Sequence, residues 1–189
     1  MNPLRHDFIQ SCLLSFLPQP PTPAEPLRYL DVGCGGGIFA ESAARLPTTR
    51  SVTAIDPSPT ILEVARAHAK RDPSLAGGKL EYVSETIESL ALPARPEDRF
   101  DVVSVFEVVE HVDYPAAFLD RVGEFVRPGG WLVLSTIART WTSWVTTNLV
   151  AEDLLGVVPK GTHDWYKYLN EDELRGYFAG KGGVATAEG

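Results

Sequence analysis

Hydrophobic positions change their period several times along this chain. Leu4, Phe8, Ile9, Cys12, Leu13, Phe16 and Leu17 recur at the spacing of one helix face, which predicts a helix within residues 4–17. Pro18, Pro20, Pro21, Pro23 and Pro26 then make residues 18–26 a stiff extended linker. Beyond it, short apolar runs alternate with longer amphipathic segments. Runs at 28–32, 51–55, 80–84, 100–106 and 131–137 predict strands, and residues 38–46, 59–70 and 115–126 predict helices. Ser58 is placed to cap the second of these helices, with Pro59 in its first turn, and Arg127-Pro128-Gly129-Gly130 stops the third. Such alternation predicts an α/β fold, a parallel sheet with helices on both faces.

The last fifty residues break the rhythm. Residues 140–158 are rich in Trp, Val and Leu, with Trp141 and Trp144 three apart. A short helix is predicted over 170–178, with Asn170 as cap and Glu173 in capping-box position. A Gly-rich tail follows over residues 180–189. The expected organisation is a single domain over 1–189: an N-terminal helix (1–17), the linker (18–26), a core (27–137) and a C-terminal segment (138–189).

Composition narrows the function. The 189 residues are 44% hydrophobic and 22% charged, ordinary for a globular domain of this length. Seventeen basic against 25 acidic residues argue against a protein whose main work is gripping nucleic acid phosphates. Cys12 and Cys34 cannot form a disulfide framework, which points to a reducing compartment. No apolar run reaches the ~20 residues that span a bilayer, and the first residues carry no recognisable targeting segment.

Chemistry concentrates where strands end. Asp31-Val32-Gly33-Cys34-Gly35-Gly36-Gly37 joins the first strand to the first helix, at the sheet edge where doubly wound folds bind ligands. The dinucleotide pattern G-x-G-x-x-G would end on Ile38 counted from Gly33, or on Ala40 counted from Gly35, so phosphate binding is not favoured. Taken alone, the glycines need be no more than a tight turn. Asp56, at the end of the second strand and about 20 residues on, changes that balance, because a carboxylate there can accept hydrogen bonds from both hydroxyls of a ribose. Cys34 reads as a small turn residue and His68 as helix surface.

These motifs, with Phe100-Asp101-Val102-Val103 and Arg127-Pro128-Gly129-Gly130, resemble the successive motifs of class I S-adenosylmethionine-dependent methyltransferases over nearly all of residues 28–137. Three further places narrow the resemblance: Asn2-Pro3-Leu4-Arg5, Glu107-Val108-Val109-Glu110-His111-Val112, and Val158-Pro159-Lys160-Gly161-Thr162-His163-Asp164. Together they are similar to the ubiquinone-biosynthesis O-methyltransferases, which methylate polyprenyl catechol intermediates. The resemblance implies a Rossmann-like fold, with two further strands after the 170–178 helix that this chain lacks. It also implies S-adenosylmethionine as methyl donor, held by Arg5, Gly33, Gly35, Asp56 and Phe106. Arg5 suits the donor's carboxylate, which a guanidinium matches with two hydrogen bonds. Thr86 and Ile87 are placed to line the adenine.

Glu107, Glu110 and His111 stand at i, i+3 and i+4, so a helical turn starting there would put two carboxylates and an imidazole on one face. The resemblance makes them ligands of Mg2+ or another divalent cation, which would chelate a catechol and lower the pKa of one hydroxyl. Two readings stand beside it. In one, His111 with Glu110 is a metal-free general base. In the other, the chain is a non-catalytic cofactor-binding subunit of a biosynthetic complex. The substrate's polyprenyl tail implies peripheral membrane contact, for which residues 141–167 offer Trp141, Trp144 and Leu155 with Lys160 and Lys167. The same side chains would equally serve to cap a substrate pocket. The implied location is the matrix side of the mitochondrial inner membrane in a eukaryote, or cytoplasmic or inner-membrane-associated in a bacterium.

Overall fold

The computed structural model describes residues 7, 9, 11, 25–135 and 171–180. Its elements run β1 (Leu27–Val32), α1 (Ile38–Ala44), β2 (Thr49–Ile55), α2 (Pro59–Ala69), β3 (Leu80–Val83), β4 (Phe100–Phe106), α3 (Pro115–Glu124), β5 (Val126–Ser135) and α4 (Glu171–Ala179). Short 3-10 turns lie at Pro73–Leu75, Pro96–Asp98 and Val109–His111. The strands form one sheet in the order β3-β2-β1-β4-β5. The β1–β2, β1–β4 and β2–β3 pairs are parallel. This is the α/β sheet the alternation predicts.

Two compact units are distinguished: Met1–Phe106 with Ala116–Leu134, and Glu107–Pro115 with Ser135–Gly189. In the first, strand residues are buried from both sides. Leu30, Val102, Val103 and Val105 are fully enclosed, as expected of central parallel strands. Phe39, Ala40, Ala43 and Ala44 of α1 form one cluster with Val102 of β4 and with Val52 and Ala54 of β2. Asp7, Ile9 and Ser11 are helical, and Ile9 is buried in the same cluster while Asp7 and Ser11 are exposed. The remainder of the predicted N-terminal helix lies outside the described residues.

Ser58 caps α2 as predicted, its Oγ accepting from the Ile61 N–H at 3.4 Å, with Pro59 in the first turn. The start of β5 differs from expectation. Arg127-Pro128-Gly129-Gly130 does not separate helix from strand: β5 begins at Val126 and runs through all four. Tertiary contacts override the local breakers. Arg127 Nε lies 2.7 Å from Asp101 Oδ1. A Cβ on Gly130 would stand 3.0 Å from the carbonyl oxygens of Phe100, Asp101 and Arg127, so only glycine lets these backbones close. The same Asp101 carboxylate accepts from the Arg28 backbone N–H at 2.6 Å. The Arg28 guanidinium reaches on to the carbonyls of Glu97 and Asp98. One carboxylate thus ties the start of β1 to the start of β5.

Candidate active site

Strand register sets the site. Val32 pairs with Ile55 and with Val105, and Ile55 pairs with Val83. These four residues form one row across the C-terminal edge of the sheet. Gly33, Asp56 and Phe106 each follow a member of that row by one residue, so three of the predicted cofactor contacts are brought to one edge. Arg5 lies outside the described residues.

The turn after β1 is held tightly. Both Gly33 N–H and Cys34 N–H donate to the Ile55 carbonyl at 2.9 Å, and Gly37 N–H donates to the Cys34 carbonyl at 2.9 Å. Gly33, Gly35 and Gly37 take φ of 69°, 51° and 78°, the left-handed region open to glycine at little cost. Gly36 differs. Its φ is not left-handed, and a Cβ there would meet nothing within 4 Å. Neither backbone conformation nor packing among the described residues requires a glycine at 36, and the open space beside it fits a ligand lying against the loop. Sequence reasoning did not single out Gly36; its place inside the glycine run was the available signal.

Asp56 has a task beyond the one predicted. Its Oδ2 accepts from Gly35 N–H at 3.0 Å and its Oδ1 from Ser58 N–H at 2.9 Å. The carboxylate therefore fastens the glycine loop to the start of α2. An ionised carboxylate offers about four lone-pair sites, so two backbone donors leave capacity for ribose hydroxyls. Asp31 is also drawn in: buried at the end of β1, it accepts from Ser104 Oγ of β4 at 2.7 Å. Phe106 packs edge-on against Phe39, ring centres 4.7 Å apart. Burial, followed by Asp31 and Asp56, pushes the Cys34 thiol well above its usual range, so it stays protonated, in keeping with a turn residue rather than a nucleophile.

Ile87 is buried, whereas Thr86 and Ser89 form a local hydroxyl turn. Arg121 of α3 fixes this turn by donating to the Ile87 and Leu90 carbonyls at 3.2 and 2.8 Å. His68 lies on the exposed surface of α2, as expected, and has a buried partner. Its Nδ1 lies 2.8 Å from Oε1 of Glu41, a carboxylate only 2% exposed on α1. Arg45 binds that same Glu41 at 3.0 Å and Asp72 at 2.7 Å, so α1 is strapped to α2 and to the turn beyond it.

The expected three-residue face after β4 is not formed. Glu107 has φ of 56° instead of a helical value, and the following turn, Val109–His111, is 3-10. A non-glycine residue in that region costs about 1–3 kcal/mol. Glu110 is buried, at 4% exposure, while Glu107 and His111 are exposed. Spacing of i, i+3 and i+4 makes one face only on an α-helical turn, and the backbone at Glu107 removes that turn. Among the described residues no three His, Cys, Asp or Glu side chains gather as a group to hold a metal. As placed, these three residues do not fit a shared cation site.

Residues 4–182 match the family model described as a methyltransferase domain. The chain is 48% identical over 150 residues to the mitochondrial ubiquinone biosynthesis O-methyltransferase of Candida albicans, covering 79% of this chain and 44% of that protein. It is 41% identical over 178 residues to the ubiquinone biosynthesis O-methyltransferase of Methylobacterium nodulans, covering 93% of this chain and 68% of that one. The chain belongs to the ubiquinone biosynthesis O-methyltransferase family. It spans about half the length of its fungal relatives. Its fold matches the plantazolicin methyltransferase BpumL, solved in complex with SAH, with a TM-score of 0.73 over 96% of this chain and 63% of that one. At 16% identity that match speaks for the fold alone. The strand-end motifs, narrowed by residues 2–5, 107–112 and 158–164, therefore led to the right family, and the fold is that of a class I methyltransferase.

Proposed function

We propose that this chain transfers the methyl group of S-adenosylmethionine to a phenolic oxygen of a polyprenyl catechol intermediate in ubiquinone biosynthesis. The observation that carries the reading is the carboxylate of Asp56 fastened to the glycine loop through Gly35 N–H at 3.0 Å, at the strand edge of a chain from this family. When bound, the sulfonium supplies an electrophilic methyl carbon. Asp56 holds the ribose hydroxyls with its remaining lone pairs. Gly36 leaves room for the donor against the loop. Arg5 pairs with its carboxylate, by residue type and family resemblance.

The acceptor oxygen must lose its proton as the carbon–oxygen bond forms and the carbon–sulfur bond breaks. Glu107 and His111 are the exposed proton acceptors next in the chain after Phe106. In this reading His111 takes the proton and Glu107 orients the hydroxyl. Metal assistance by Glu107, Glu110 and His111 rests on the family resemblance, and no step here passes through a cation. Peripheral membrane contact through residues 141–167 rests on sequence alone, because that stretch lies outside the described residues. A mitochondrial place in a eukaryote is in keeping with the fungal relative's name.

The test is transfer of labelled methyl from S-adenosylmethionine to a catechol bearing a short prenyl chain, run with magnesium and with EDTA. No transfer under either condition overturns the proposal. Transfer that stops in EDTA and returns with magnesium assigns a cation. Transfer unchanged in EDTA leaves His111 as base. Glu107→Ala should remove transfer while calorimetry finds S-adenosylmethionine bound as before. Retained transfer in that variant removes Glu107 from the acceptor side.

A further inference from the structure

Ser135 closes β5, and Glu107 is the first residue after β4, the neighbouring strand of the sheet. The two are joined twice. Glu107 N–H donates to the Ser135 carbonyl at 2.9 Å, and Ser135 Oγ donates to Glu107 Oε1 at 2.7 Å. Glu107 is also the only non-glycine residue at positive φ among the described residues. A long side chain gains nothing from that backbone region, where glycine, asparagine or aspartate are favoured. Its side chain is exposed, so core packing does not explain the choice either. Strained residues held by surrounding structure cluster at functional sites. Among the surroundings that hold it here is Ser135. Its carbonyl fixes the Glu107 peptide, and its hydroxyl fixes one carboxylate oxygen, which sets the plane in which the carboxylate meets a ligand.

We propose that Ser135 is a positioning residue that aims the Glu107 carboxylate at the hydroxyl of the acceptor. The inference rests on the acceptor-side role proposed for Glu107. A carboxylate oxygen accepts hydrogen bonds and so suits a phenolic O–H. Loss of the Ser135 hydroxyl frees the carboxylate to rotate, and misorientation of a group that guides a reacting oxygen lowers rate far more than it lowers stability.

The experiment uses the full chain with Ser135→Ala, Ser135→Thr and Glu107→Gln, and Ser135→Ala combined with Glu107→Gln. Ser135→Ala is expected to lower kcat/KM for a short-chain prenyl catechol about tenfold, with the Kd for S-adenosylmethionine within twofold of wild type. Ser135→Thr keeps the hydroxyl and should recover activity to within about threefold. Because Ser135 acts through Glu107, adding Ser135→Ala to Glu107→Gln should cost nothing more. Unchanged activity in Ser135→Ala, failure of Thr to recover it, or an equal loss in both backgrounds overturns the inference. If the alanine variant does not fold, Ser135→Val replaces it, matching threonine in shape without its hydroxyl. A wild-type chain that binds S-adenosylmethionine but methylates no catechol overturns the proposed function instead. The same four-way comparison is then read from calorimetric affinity for the catechol, which Ser135→Ala must weaken only when Glu107 is present.

Discussion

The phenol oxygen of Tyr82 occupies the space that any side chain at position 37 would need: a Cβ built on Gly37 would stand 2.0 Å from it. Gly37 also has φ of 78° and forms the N-cap of α1. Gly37→Ala therefore meets both backbone strain and a collision, and should cost about 2–4 kcal/mol. The denaturant midpoint reads the loss. Tyr82→Phe in the same background takes away the colliding oxygen and should return part of that stability. An alanine variant as stable as wild type would mean that Tyr82 does not bar a side chain at position 37.

Gly36 gives the opposite expectation. Open space and an ordinary φ mean that Gly36→Ala should change folding stability by no more than about 0.5 kcal/mol, as at a surface position. Its Cβ would instead occupy the room proposed for the methyl donor. Calorimetry should find affinity for S-adenosylmethionine reduced at least fivefold. Equal affinity in the two proteins would mean that the donor does not approach the loop at 36.

Asp56→Ala removes an acceptor shared by the loop, the start of α2 and the proposed ribose. Hydrogen bonds to a charged group contribute about 1.5–3 kcal/mol, so donor affinity should fall roughly tenfold to a hundredfold. Folding stability should fall too, because the Gly35 and Ser58 N–H groups lose their partner. Wild-type affinity in a folded Asp56→Ala protein would exclude the ribose assignment.

Alkaline pH should weaken the fold through Tyr29. This residue of β1 is 2% exposed. Burial first, and Asp101 second, push its phenol from an ordinary value of 10 up to about 12. The folded state holds the proton more tightly than the unfolded chain. Its contribution is therefore complete below pH 10 and is lost as pH rises from 10 towards 12, about 2–3 kcal/mol at most. Burial drives the Tyr82 phenol and the Cys34 thiol in the same direction. Urea unfolding followed from pH 8 to 11.5 should show the decline, and Tyr29→Phe should make it shallower. Identical slopes for the two proteins would contradict this.

Much of the fold was legible because its signals are local. The run Phe100-Asp101-Val102-Val103-Ser104-Val105-Phe106 gives β4 with the bounds expected, and Ser58-Pro59 marks the start of α2. What escaped sequence reading depends on partners far along the chain. Gly129 and Gly130 look like breakers until Asp101 and its neighbours close on them. His68 is helix surface as expected, but its partner Glu41 lies 27 residues away. Glu107, Glu110 and His111 have helical spacing, but Ser135, 28 residues from Glu107, holds a backbone that is not helical. The glycine loop and Asp56 were readable as a pair, since register carries both to one edge. The hydrogen bond joining them was not.

The Asp101 link between Arg28 and Arg127 also has a consequence for synthesis. A chain leaving the ribosome presents β1 before β2, which can pair with it at once. The other edge of β1 belongs to β4, whose Asp101 lies 73 residues beyond Arg28. Until that strand emerges, the most deeply buried strand of the sheet, β1, carries an unpaired edge, open to wrong pairing with other chains. Arg127 must follow before the carboxylate has both of its cations. The sheet centre is thus completed only after 73 further residues have followed Arg28, and the interval is one in which a chaperone that covers bare strand edges would improve the yield of folded protein.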